Sequence, residues 1–342
     1  LLVIDPTVWL FERFAMGICT AVLMVVCESW LNDMSGNTVR GKVLALYTII
    51  SWGTPMIGVW MLRFVSSESA FFFILASICI SVAVVPMLLS VSKTPRFLDA
   101  QRLPLRALYK RTPLGVIGAL LSGACHGAFF ATVAIFGTVS AYSVAEISTL
   151  ITIALGGGVI AQWPIALLSD RFDRRLILAI VAGLGALSGL YFTLAETETI
   201  FDAYVAVFVL SACILSLYSQ CIAHTNDNID VTEVVPAAST LILLYGLGFA
   251  AAPAIIAPLL DLSPSYFFLS NAVLMTVLTA VVIVRMVRRE AVGDQGNMIA
   301  MPTSSPYASV VTAAEEWAPN PDDRTTVSID ADPSQTDRGS NP

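Results

Sequence analysis

The chain has 342 residues, 56% of them hydrophobic and only 13% charged, with a mean hydropathy of +0.79 and a formal net charge of −7. Soluble domains carry about 25% charged residues, so this composition argues against a water-soluble enzyme and against a basic nucleic-acid-binding surface. The six cysteines, Cys19, Cys27, Cys79, Cys125, Cys213 and Cys221, all lie in apolar runs without metal-type spacing. They read as small packing residues, not as a disulfide framework or metal site, and no cofactor is expected.

Nine apolar segments follow one another, at 8–31, 43–65, 70–91, 114–138, 147–168, 176–195, 201–222, 234–260 and 266–288. Each approaches the roughly 20 residues that cross the hydrocarbon core of a bilayer as a helix. The expected fold class is therefore an all-α membrane protein.

In the first segment Arg13, Gly17, Ala21, Met24 and Glu28 share one helical face. A charge within the bilayer costs a few kcal/mol, so Arg13 and Glu28 either face a wet cavity or snorkel to the ends. Residues 92–113 form a basic stretch with Pro95, Pro104 and Pro113, expected to be a cytoplasmic linker between a three-helix N-terminal bundle (1–91) and a six-helix C-terminal bundle (114–289). The fourth segment carries His126 at its middle, on a face of Gly115, Ala119, Ser122, Gly123 and Gly127. Small residues let helices pack closely. Two readings of His126 stand side by side: a neutral ring bonded to a neighbour, or a proton carrier with an unperturbed pKa near 6.5.

Gly156-Gly157-Gly158 is followed by no Lys-Ser/Thr, so it is a helix contact and not a phosphate loop. Gln162-Trp163-Pro164 marks a packing kink or a ligand contact. Ser169–Arg175 then interrupts the apolar pattern with two acids and three arginines, and must sit in water. The seventh segment ends at His224, Asn226 and Asp227, and its loop carries acids (Asp227, Asp230, Glu233) but no Lys or Arg. Opposed to Arg171, Arg174 and Arg175, these acids suggest ion pairs that form in one state and break in another. The alternative is a solvated cluster worth under about 1 kcal/mol per pair.

The loops alternate in charge. One set holds 14 Lys and Arg, from Arg40 to Arg289, and the other only Arg63. By the positive-inside rule the first set, the hairpin and the C-terminus are cytoplasmic. Residues 290–342 hold nine acids against two arginines, are rich in Pro, Ser, Thr and Asp, and read as a disordered acidic tail.

The two sides of the linker resemble each other. Tyr47 and Pro55 stand to Tyr245 and Pro253, Asn32-Asp33 to Asn226-Asp227, and Ala70–Phe73 to Ser265–Phe268, at nearly constant offset. Such order suggests a parallel repeat. A repeat of six helices beside only three predicts that the chain carries helices four to twelve of a twelve-helix fold.

The hairpin Leu168, Asp170, Arg171, Arg174 and Arg175 resembles the Gly-x-Leu-x-Asp-Arg-x-Gly-Arg-Arg signature of the major facilitator superfamily, with Ala166 and Asp173 where that pattern has glycine. Glu28-Ser29-Trp30-Leu31-Asn32, Gln162-Trp163-Pro164, Ala223-His224-Thr225-Asn226-Asp227 and Leu244-Tyr245-Gly246-Leu247-Gly248 resemble its YcaD-like branch. The resemblance implies an inner-membrane secondary transporter; a small solute moved by alternating access, a monomer, and proton coupling through the titratable Glu28, His126 and His224 are expected with it. Arg13, Glu28, His126, Gln162, Trp163, His224 and Asn226 are its cavity candidates. Asp170, Arg171, Arg174, Arg175 and Asp227 are its cytoplasmic gate candidates. The rival readings are a non-transporting membrane sensor or scaffold and an intramembrane enzyme; two isolated histidines and no Ser-His-Asp set make a poor catalytic centre.

Overall fold

A computed structural model describes residues 5–34, 40–64, 71–89, 103–195, 199–230 and 233–288. The expected linker up to residue 102 and the expected acidic tail lie outside the described residues, as does the side chain of Glu28. The described elements are all helical: α1 (Pro6–Met34), α2 (Arg40–Met61, prolonged by the 3-10 turn Leu62–Phe64), α3 (Phe71–Leu89), α4 (Leu105–Arg111), α5 (Pro113–Phe130), α6 (Val133–Val139), α7 (Val144–Arg171), α8 (Arg174–Leu194), α9 (Ile200–Asn226), α10 (Val234–Leu260) and α11 (Tyr266–Arg288). Among the described residues seven spans are long and apolar enough to cross a membrane: α1, α5 together with α6, and α7 to α11. α2 and α3 occupy the other two segments drawn from the sequence; the apolar stretch of α3, Ile74–Pro86, is shorter.

Three local features depart from the simple pattern of apolar segments. The segment drawn at 114–138 is two helices, because the chain turns at Ala131 and Thr132. There the Thr132 hydroxyl takes the Ala128 carbonyl and the backbone bonds shorten from Ala131–Gly127 to Thr132–Phe129. The charged hairpin is tighter than its seven residues suggest: α7 runs on through Arg171, and only Phe172 and Asp173 leave the helix before α8. The end of the expected linker folds as α4, whose Leu108 is fully buried against Val116, Ala119, Ala237 and Leu241.

α5 to α11 share one core, with α9 packed against α5, α7 and α8. Glycines make the closest approaches. A Cβ at Gly123 or Gly127 would collide with the backbone of α10 at Tyr245 or Phe249, and one at Gly157 or Gly158 would meet Phe208, Ser211 or Leu215 of α9. α7 and α9 run parallel and begin alike. Ser143 with Glu146, and Thr199 with Asp202, form reciprocal capping boxes that satisfy the first backbone N–H groups. α2 reaches this core through α7, where Met56 lies beside Gly156.

Candidate functional site

The residues of chemical interest form two groups. The first surrounds the turn from α7 to α8. Asp173 caps α8: its Oδ1 accepts the Arg175 backbone N–H at 2.8 Å, and its Oδ2 accepts from Arg175 Nη2 at 2.8 Å. Burial pushes this carboxyl up. The hydrogen bonds from Arg175 and the charges of Arg175 and His224 outweigh that, so Asp173 titrates below the ordinary carboxylate value of 3.8.

Arg174 points inward and is only 2% exposed. Its Nε lies 2.8 Å from Asp227 Oδ2 at the end of α9, and its Nη1 lies 3.7 Å from Asp170 Oδ1 on α7. The Nε–Asp227 approach is off the N–H direction, so this contact is electrostatic more than a directed hydrogen bond. One buried guanidinium thus ties together three helix ends.

Below it, Ser169 donates to Gln220 Oε1 at 2.6 Å, both residues fully buried. The Gln220 amide nitrogen has no partner in the described structure. Arg171 and Phe172 are exposed. His224 and Asn226 are half-buried in the last turn of α9, and His224 lies within electrostatic reach of Asp173.

The second group lies deeper. His126 is 2% exposed, with Nδ1 3.0 Å from the Ser122 carbonyl, and Nε2 has no partner among the described residues. With Nδ1 facing a carbonyl, the tautomer that fits places the proton there and leaves Nε2 as an acceptor. The ring meets Tyr245 of α10 edge-on at 5.3 Å, and Tyr245 in turn meets Tyr218 of α9 at 4.5 Å.

Gln162 and Trp163 separate. Gln162 is buried at 4% exposure, with its amide nitrogen unpartnered among the described residues, whereas Trp163 is 71% exposed on the outer side of α7. Arg13 is also exposed, and the helix side at Gly17 is open. α1 touches α2 through Met24, whose sulfur accepts the Tyr47 hydroxyl at 3.1 Å.

The structure therefore brings Asp170, Arg174 and Asp227 together, with Asp173, Arg175 and His224 adjoining. It does not bring Arg13 or Trp163 to either group. Gln220 and Tyr245 were not drawn as site residues. Gln220 is legible as a lone amide in an apolar run, and Tyr245 as a member of the internal repeat.

The sequence profile of the Major Facilitator Superfamily matches residues 1–225 and, a second time, 138–313. The chain is 25% identical over 258 residues to uncharacterised MFS-type transporters, one of Yersinia pestis (strain Pestoides F) and one, YcaD, of Escherichia fergusonii. A Yersinia enterocolitica transporter matches at 25% over 260 residues. Each match covers 74% of this chain and 65% of the relative, so the chain spans just under two thirds of the length of the curated relatives it matches.

Proposed function

The chain belongs to the Major Facilitator Superfamily, and we propose that it works as a secondary transporter of a small solute, by alternating access, with the Arg174 cluster as a cytoplasmic gate. It is a multi-pass membrane protein whose relatives are transporters. In this reading α1 to α3, α5 taken together with α6, and α7 to α11 correspond to helices four to twelve of a twelve-helix fold, and the hairpin and C-terminus face the cytoplasm. The solute is held between the two bundles near the midplane, and the protein acts as a monomer. Glu28, His126 and His224 are the groups available for proton coupling.

The observation that carries the gate is the buried guanidinium of Arg174 between Asp170 and Asp227. A charge so enclosed stays stable only while its carboxylates are close. Asp170 ends α7, and α7 is the helix on which α2 packs. α2 meets α7 beside Gly156, in the half away from the hairpin, so a movement of the two bundles about that contact displaces the far end of α7, which carries Asp170. Two states within a few kcal/mol of each other respond to the loss of one such contact.

The test is labelling of a single cysteine at Asn226 in the intact protein, with its other cysteines removed. Asp170→Asn is expected to leave the protein folded and inserted and to raise the labelling rate from the hairpin side. An unchanged rate removes Asp170 from the gate. For orientation, a cysteine at Phe172, exposed in the turn between α7 and α8, labelled only from outside the cell would overturn the cytoplasmic placement.

A further inference from the structure

α4 has no part in the gate, yet it is fixed at three points. The Leu103 carbonyl just before it accepts from the Thr240 hydroxyl at 3.4 Å, Leu108 is buried in the α5–α9–α10 groove, and Arg111 pairs with Glu233 and, at 3.6 Å, with Asp230. Thr240 lies about two turns inside α10, whereas Asp230 and Glu233 precede that helix. α4 therefore slopes along the flank of the bundle. Its start sits about 9 Å deeper than the polar rim, at the 1.5 Å rise per helical residue, and its end is at the rim.

The face that α4 turns away from the protein combines two kinds of side chain. Leu105 and Tyr109, one turn apart, are exposed at 47% and 42%. Arg106 and Lys110, also one turn apart, are exposed beside them. The Tyr109 hydroxyl accepts from Arg285 Nη2 of α11 at 3.4 Å, and Arg288 is one turn further along α11. Arg111 is neutralised by its acids. Arg106, Lys110 and Arg288 have no acidic partner among the described residues.

We propose that this corner, between α4 and the end of α11, is a seat for an anionic phospholipid of the membrane, with its phosphodiester headgroup held by Arg106, Lys110 and Arg285 and its chains laid along Leu105 and Tyr109. Three observations select a lipid over a soluble anion. The apolar pair is exposed on a helix whose start lies about 9 Å inside the polar rim of the bundle. The cations share that face and are long enough to reach up to the headgroup layer. The exposed Tyr109 ring adjoins Leu105 while its hydroxyl meets Arg285, the pairing of an apolar ring with a polar tip that suits interfacial aromatics. Basic groups near an anionic surface each strengthen binding about fivefold. The seat rests on membrane insertion alone, so it stands or falls separately from the gate.

The test is native mass spectrometry of the intact protein from micelles containing equal phosphatidylglycerol and phosphatidylcholine. The wild-type protein is expected to retain phosphatidylglycerol preferentially. Arg106→Gln with Lys110→Gln should lower that preference about 25-fold, about fivefold for each charge removed. Arg106→Lys with Lys110→Arg should restore it, which separates lost charge from lost folding. Equal retention of both lipids by the wild type, or an unaltered preference in the double Gln protein, overturns the seat. Displacement of the lipid by millimolar inorganic phosphate overturns it too, since the corner would then be a phosphate site.

Discussion

α1 to α3 and α5 to α11 are equally apolar to the eye, yet they differ in what touches them. No described residue of α1 to α3 is buried, whereas α5 to α11 enclose a continuous core. Gly17, Gly53 and Gly58 have nothing within 4 Å of where a Cβ would stand, but Gly123, Gly127, Gly157 and Gly158 lie against neighbouring helices. Arg13 is exposed and Arg174 enclosed. In a membrane, hydrophobicity does not separate core from surface, because lipid tails are as apolar as leucine. Close contacts at small residues, and polar groups that find partners, make the difference.

The largest test of this contrast uses the two arginines. Arg174→Gln leaves Asp227 and Asp170 without their cation in a buried place and is expected to cost about 3–5 kcal/mol. That should appear as a much lower thermal midpoint of the detergent-solubilised protein. Arg13→Gln, on the exposed face, should leave the midpoint unmoved. If both substitutions act alike, the enclosure of Arg174 has no energetic meaning.

The glycines give the next test. Gly123→Leu forces a side chain into the α10 backbone, and overpacking of this kind costs about 1–3 kcal/mol. Gly17→Leu has open space and should be tolerated. Equal loss of folded yield for both would mean that α1 is as tightly packed as α5.

The smallest effect concerns the hairpin cap. Asp173→Ala removes the N-cap of α8 and should cost about 1 kcal/mol near neutral pH. Because the folded carboxyl titrates below its ordinary value, its contribution is complete above that ordinary value and lost as pH falls through the folded one. The gap between wild type and variant should therefore hold from pH 7 to about pH 5 and close in stronger acid. A gap that widens on acidification would contradict the assignment of this carboxylate.

The helices were legible in the sequence because length and charge-free apolar runs are a direct consequence of bilayer thickness. The hairpin was legible because a cluster of Asp and Arg has nowhere else to go. The packing faces were legible only where glycine marked them, as in the Gly157–Gly158 pair against α9. Other features left no such mark. The break at Ala131 and Thr132 comes from one hydroxyl competing for one carbonyl, and both residues are unremarkable in a helix. Gln162 and Trp163 are neighbours in sequence, but the roughly 100° step between helical residues sends one inward and the other outward. Arg13 fitted a patterned face, yet the pattern alone does not say whether that face meets water, lipid or another helix. α4 sat within a basic stretch with three prolines, where only Leu108 hinted at burial.

The α7–α9 pair has a mechanical consequence. The two helices are clamped in their middles by glycine contacts and at their ends by Ser169–Gln220, with Arg174 of α8 bridging Asp170 of α7 to Asp227 of α9. Twenty-eight helical residues in α7 make a strut about 42 Å long. Pro164 removes one backbone bond from α7 but lies on its exposed side, away from the clamps. Two parallel struts fastened in this way resist shear along their seam. A displacement imposed at the hairpin is carried to the opposite face of the bundle as a tilt of both, with little of it absorbed by bending.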